Sequence, residues 1–206
     1  MSVLLQRIQS WRVVLASQSP RRLELLTNLG LSFDVIPSTF EENLDKAAFP
    51  TPEHYVMENA KQKALEVTRR LATETRRPDL VIGCDTVVVH DGKILEKPKD
   101  EAEAFRMLSS LSNSTHQVFS GVALCMGTST HVFSHVTQVQ FLPLQEQTIR
   151  DYIATGEPMD KAGSYGIQSG GRAFVKTVDG CMNNVIGFPV DRFCAELSAL
   201  LDQKTA

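Results

Sequence analysis

Arg21 and Arg22 stand side by side in LASQSPRRLELLTNLG, directly after Ser19-Pro20, and this placement is the first chemical clue in the chain. Ser17 and Ser19 suit helix N-caps and Pro20 suits the first helical position, so both guanidiniums fall in a first helical turn. That end of a helix already carries partial positive charge and unpaired N–H groups, so two arginines there work against helix stability and favour an anion. Lys61 and Lys63 in NAKQKALEV, and Lys97 in ILEKPKD, add further cations. Glu41 and Glu42 in STFEENLD, with Asp85 and Thr86 in VIGCDTVV, add carboxylates able to hold a divalent ion and a hydroxyl beside one of them. GEPMDKAGSYGIQSGG sets five glycines in sixteen residues among Asp160, Lys161, Tyr165 and Gln168. Such density lets backbone N–H groups approach a ligand, although the order matches neither GxGxxG nor GxxxxGK[ST]. Together these groups are the equipment for a polyphosphate. Cleaving a phosphoanhydride needs charge neutralisation on the phosphate oxygens and an activated water in line with the leaving group, which a divalent metal and one carboxylate base supply.

Each stretch alone also has a plainer reading: surface arginines, solvated lysines at 61, 63 and 97, a turn-capping Asp85, an acidic loop at 41–42 and a flexible glycine loop. No Ser/His/Asp order or conspicuous cysteine nucleophile competes. The five histidines are scattered without metal-ligand spacing and read as surface or packed residues. Cys84, Cys125, Cys181 and Cys194 show no CxxC pattern and read as reduced core thiols in the cytosol. A net charge of -3 argues against bulk nucleic-acid or acidic-membrane binding. MSVLLQRIQSW is too short and polar for a secretory signal, and no run approaches the length of a membrane span. The expectation is a soluble cytoplasmic protein that binds neither nucleic acid nor membrane.

The elements that must position these groups follow from period and punctuation. Arg12 to Ala16 reads as a strand, and a helix with Leu23, Leu26 and Leu29 on one side follows and stops at Gly30. A second strand is expected at about Phe33–Ile36. A helix then runs from Thr51-Pro52 to about Leu71, with Tyr55, Ala60, Ala64, Val67 and Leu71 on one face. Leu80–Cys84 reads as a buried strand ending at Asp85. Val87–Val89 and Ile94–Leu95 flank a hairpin turn at Asp91-Gly92. Asp100 caps a helix to about Leu111, and strands at about His116–Met126 and His131–Phe141 face each other. A helix at about Leu144–Ala154, a strand at Ala173–Val178 and a helix from Pro189 complete the pattern. The order predicts a mixed α/β sheet flanked by helices, with two lobes around a groove, in one domain over residues 1–206.

LASQSPRRLELL, GCDTVV, LEKP and GEPMDKAGSYGIQ, in that order and spacing, resemble the Maf family of nucleoside triphosphate pyrophosphatases. The first eleven residues, NAKQKALEV and GEPMDKAG are especially similar to the Maf-type domains that open animal acetylserotonin O-methyltransferase-like proteins. No glycine-rich methyl-donor motif accompanies them, so methyl transfer is not implied. The resemblance implies a Maf / inosine triphosphate pyrophosphatase-like α/β fold with the site in a central cleft, a homodimer, and hydrolysis of a nucleoside triphosphate to monophosphate and pyrophosphate. It implies Asp85 as the proton acceptor and Glu42 with Asp85 as holders of a divalent metal, Mg²⁺, Mn²⁺ or Co²⁺. Ser17, Arg21, Arg22, Lys63, Thr86, Lys97 and Gln168 become the substrate contacts. Arg22, Thr86 and Gln168 agree with the dTTP and UTP branch, where the 7-methyl-GTP branch has Trp, Gln and Glu. An amide at Gln168 both donates and accepts, which suits the O4, N3–H edge of uracil or thymine. CTP and modified pyrimidine nucleotides remain open as further substrates, and a nucleotide-binding regulator without turnover remains the alternative. Gln18, where many relatives carry a small residue, is a departure from the pattern.

Overall fold

Three apolar residues, Val13–Leu15, form β1 and are wholly buried. Their neighbours on either side are parallel strands: β2 (Asp34–Val35) pairs Val14 with Asp34, and β3 (Leu80–His90) pairs Val14 with Val81. Parallel strands need crossovers, and the helices α2 (Pro20–Leu29) and α3 (Pro52–Arg70) supply them. A five-residue α1 (Val3–Arg7) precedes this unit. β4 (Lys93–Leu95) folds back on β3 as an antiparallel hairpin. Then come α4 (Glu101–Leu111), β5 (Thr115–Met126) and β6 (Ser129–Phe141). A two-residue turn joins β5 to β6, which only antiparallel strands allow. After α5 (Glu146–Ala154), β7 (Val175–Asp179) pairs antiparallel with β6, and α6 (Met182–Ile186) and α7 (Val190–Gln203) follow. This is a computed structural model, and it describes residues 3–203.

The strands form one mixed sheet in the order β2-β1-β3-β5-β6-β7, with β4 attached to β3. The expected mixed α/β architecture is therefore present. The chain divides into two units. One takes the chain up to Asp85, Ser120–His135 and the chain from Gly187; the other takes Thr86–Phe119 and Val136–Ile186.

In the first unit, Ala60, Ala64 and Val67 of α3 pack against Val14, Val81 and Ala123. The helix comes unusually close: a Cβ on Gly83 would lie 2.2 Å from the Ala60 carbonyl oxygen, and one on Gly121 2.3 Å from that of Val56. In the second unit, Leu108, Leu111, Ile149, Phe141, Phe174 and Tyr165 belong to a separate apolar core. There the buried His116 shares a 2.8 Å hydrogen bond with the Tyr165 hydroxyl, so this histidine is a packed one.

Two expectations are corrected. β3 does not stop at Asp85 but runs on to His90, so Asp85 lies mid-strand. The glycine-rich stretch is not a loose loop: it folds into successive 3-10 turns at Glu157–Asp160, Ala162–Ser164 and Gly170–Phe174. The four cysteines are free thiols, with Cys84 and Cys125 buried and the other two only partly so. Among the described residues no helix is long and apolar enough to cross a membrane.

Candidate functional site

Strand alternation sends Val81, Gly83 and Asp85 to the face of β3 that α3 covers. On α3, Lys63 falls on the buried side, one turn from Ala60 and Val67. The two meet: Lys63 Nζ donates to Asp85 Oδ1 at 2.9 Å, and both side chains are about nine-tenths buried. A second carboxylate completes the group, with Glu42 Oε2 2.7 Å from the same ammonium. Lys63 is thus no solvated helix lysine. Its neighbour Lys61 has the plainer role, pairing with Glu58 at 3.3 Å along the helix. Glu41 accepts from its own loop neighbour Asn43.

The loop bearing Glu42 is anchored by residues that the sequence reading passed over. Ser38 Oγ and the Thr39 N–H donate to Glu66 Oε2 at 2.9 and 3.0 Å, and Arg70 donates to the Pro37 carbonyl at 2.7 Å. Burial alone would raise the Glu66 pKa, but the hydrogen bonds from Thr39 and Ser38 outweigh it and hold the carboxyl below its ordinary range. The signal was present in the sequence: Glu66 and Arg70 continue the α3 surface from Lys63 at helical spacing.

At the other end of the first motif, Ser19 occupies the N-cap of α2 but its side chain makes no capping bond. Ser17 acts differently from an expected cap: its Oγ accepts from the Ser19 N–H at 3.2 Å and from Arg22 Nη1 at 3.1 Å. Arg22 turns inward. Its Nη1 also donates to the Cys84 carbonyl at 2.9 Å and its Nε to the Gly187 carbonyl at 3.0 Å. This guanidinium therefore ties α2 to the residue before Asp85, and Arg21 beside it is half-buried. Ser17, Arg22, Lys63, Glu42 and Asp85 all belong to the first unit.

Thr86, Lys97 and Gln168 belong to the second. Thr86 follows Asp85 within a strand, so its side chain leaves from the opposite face of β3. Lys97 is exposed between two fixed neighbours: the Glu96 carbonyl accepts from the Gly163 N–H at 3.1 Å, and Pro98 is buried. Gln168 is exposed, two residues before the last of the 3-10 turns.

Among the described residues no group of three or more His, Cys, Asp or Glu side chains is arranged to hold a metal ion. Glu42 and Asp85, converging on one ammonium, are two carboxylates. That donor set fits Mg²⁺, which binds through one or two carboxylates plus substrate phosphates and does not need an all-protein cage. A cavity of about 800 Å³ lies elsewhere, around Trp11, Arg12, Asp34 and Glu74 at the start of β1. Arg12 in its lining is already paired, 3.1 Å from Asp34 and 2.6 Å from Glu74.

Comparison with known proteins identifies the family. The family model described as "Maf-like protein" matches residues 12–200. The human "Probable bifunctional dTTP/UTP pyrophosphatase/methyltransferase protein" is 52% identical over 198 residues, which cover 92% of this chain and 32% of that protein. This chain thus spans about a third of the length of the human relative. A "dTTP/UTP pyrophosphatase" of Clostridium perfringens is 47% identical over 88% of this chain and 93% of its own length. One of Bacillus cytotoxicus is 46% identical over 90% and 94% respectively. With a family match over nearly its whole length and relatives this similar, the chain belongs to the Maf-like protein family.

Proposed function

We propose that this chain is a nucleoside triphosphate pyrophosphatase that hydrolyses dTTP and UTP to the monophosphate and pyrophosphate. The observation that carries the reading is the buried Lys63 ammonium, held at 2.9 Å from Asp85 and 2.7 Å from Glu42. A cation and a carboxylate kept out of water next to each other are costly to build and are suited to phosphate chemistry, where charge must be neutralised and a water activated.

In this reading, Asp85 accepts a proton from the attacking water. The water oxygen bonds to the α-phosphorus, the bond to the α–β bridging oxygen breaks, and pyrophosphate leaves with that electron pair. Lys63 neutralises phosphate charge from within hydrogen-bond reach of the base. Glu42 and Asp85 would hold a divalent ion, which would add further charge neutralisation on the phosphate oxygens. Arg22, through its bonds to Ser17 and to the Cys84 carbonyl, fixes the strand position next to Asp85. The roles of Arg21 and Lys97 toward phosphates, and of Thr86 and Gln168 toward the nucleoside, rest on the family pattern. The proposal extends to a cytoplasmic homodimer, with the four free cysteines in keeping with a reducing compartment.

The test is incubation of the purified protein with dTTP, UTP, CTP and 7-methyl-GTP plus Mg²⁺ or Mn²⁺, with pyrophosphate and orthophosphate measured separately. Pyrophosphate from dTTP and UTP with little from 7-methyl-GTP is expected. Orthophosphate alone would move cleavage to the terminal phosphate, and binding without product would favour a nucleotide-binding regulator.

A further inference from the structure

An exposed amide at Gln168 can select a base only if the backbone carrying it is held, and two residues hold it from both sides. On the N-terminal side, the Gly166 N–H donates to Tyr152 Oη at 3.0 Å, with Ile167 buried next in sequence. On the C-terminal side, Ser169 Oγ donates to Glu157 Oε1, and the Gly170 N–H donates to Glu157 Oε2 at 3.1 Å. Tyr152 Oη closes the circuit by donating to Glu157 Oε1 at 2.8 Å. The glycines fit closely around this phenol and carboxylate. A Cβ on Gly166 would lie 2.9 Å from Glu157 Oε1, and one on Gly171 3.0 Å from Tyr152 Oη. Lys161 joins them, its Cε 2.6 Å from a Cβ on Gly166, so the close backbone approach at Gly166, Gly170 and Gly171 is made to side chains of the same chain.

We infer that Tyr152 and Glu157 are positioning residues for nucleobase selection: they clamp the backbone on both sides of Gln168 and so set the direction of its amide. The inference rests on the reading above that Gln168 meets a pyrimidine edge. The clamp keeps one protonation state near neutrality. Burial would raise the Glu157 pKa, but hydrogen bonds from Ser169, Tyr152 and the Gly170 N–H, with the Lys161 charge, outweigh it and hold it low. Burial, then the bond to Glu157, pushes the Tyr152 hydroxyl the other way. Glu157 therefore accepts and Tyr152 donates throughout the range in which the enzyme would work. Lys161 Nζ braces the same turn by donating to the Glu157 carbonyl at 2.7 Å.

Tyr152→Phe is the cleanest probe, because the ring keeps its edge-on contact with Phe174 at 4.9 Å between centroids and only the hydroxyl is lost. Steady-state kinetics should show KM for dTTP rising about tenfold with kcat within about threefold, and the preference for dTTP over 7-methyl-GTP narrowing about tenfold. Gln168→Ala should narrow the preference as much, and the double variant no further, since both act through one amide. Ser169→Ala, which removes a single bond to Glu157, should move the preference in the same direction by less and decides the matter if Tyr152→Phe does not fold. An unchanged preference in the folded variants, or additive narrowing in the double, overturns the clamp. A wild-type protein that releases no pyrophosphate from any nucleotide overturns the parent reading instead, before any variant is compared.

Discussion

Lys63→Met removes the cation at the centre of the candidate site while keeping an unbranched apolar stem of similar reach. The Lys63 and Asp85 side chains are 9% and 10% exposed, so the substitution strands a carboxylate almost wholly out of water. Breaking a buried pair by removing one partner costs about 3–5 kcal/mol. Glu42 is 51% exposed and its bond to Lys63 is largely screened, so its loss adds under about 1 kcal/mol. For a chain of this size each kcal/mol lowers the melting temperature by about 2–4 °C, so a fall of at least about 6 °C is expected. Adding Asp85→Asn removes the stranded charge and should restore about 2 kcal/mol, which makes the double variant more stable than Lys63→Met alone. Thermal unfolding followed by circular dichroism, at one pH and ionic strength, reads all three proteins. If Lys63→Met melts within about 2 °C of wild type, or if Asp85→Asn lowers it further, the pair is not a buried ion pair and the account of the site fails.

Asp85→Asn alone should reduce pyrophosphate release from dTTP by about 10²–10⁴-fold, the range for loss of a general base. It should cost less stability than Lys63→Met, because Lys63 keeps Glu42 at 2.7 Å; wild-type turnover would remove Asp85 from that role. His116 supplies an acid limb to stability: burial, helped by neighbouring His90, pushes its pKa from 6.5 to about 3. Below its ordinary pKa the unfolded chain takes up a proton that the fold refuses. Stability is therefore full above about pH 6.5 and falls toward about pH 3, by up to about 1.4 kcal/mol per pH unit. Urea midpoints between pH 4 and 7 should show this slope and a flatter one in His116→Phe, and equal slopes would exclude His116 as the source. Gly83→Ala should lower the melting temperature by about 2–12 °C or prevent soluble expression, since the new methyl meets the Ala60 carbonyl at 2.2 Å; wild-type melting would mean that α3 does not sit this close.

The layout of the sheet was legible because its signals are local. Apolar runs marked the strands, and Tyr55, Ala60, Ala64, Val67 and Leu71, expected on one face of α3, are all buried. The failures at the site share a cause: a polar residue was read without the partner that makes it acceptable. Asp85 reads as a strand end because a lone carboxylate does not belong in a buried run, yet Lys63, 22 residues earlier, neutralises it and β3 continues. Lys63 in turn looks solvated until Asp85 and Glu42 are placed. The Arg22 contacts come from Ser17, Cys84 and Gly187, a set no local pattern gathers. Glycine density at 156–171 reads as looseness, because nothing in the pattern announces that Val88 packs on Gly163, or that Tyr152, Glu157 and Lys161 pack on the glycines after it. The five-residue helices α1 and α6 are too short to show a period. Motif resemblance named the candidate site residues; it did not show which of them touch.

The contact of α3 with Gly83 and Gly121 has a bearing on how this protein can change over time. Where a helix rests on a sheet through side chains, the spacing between them drifts as those side chains are exchanged. Here two carbonyl groups, at Val56 and Ala60, stand where side chains would otherwise intervene. Peptide groups have the same dimensions in every sequence, so this spacing is a constant. The turn of α3 that carries Lys63 begins at that fixed point. Apolar residues around it can be traded for larger or smaller ones, and the layer can adjust elsewhere, without altering the reach from ammonium to carboxylate. Two residues with no side chain thus insulate the chemistry from the evolution of the core.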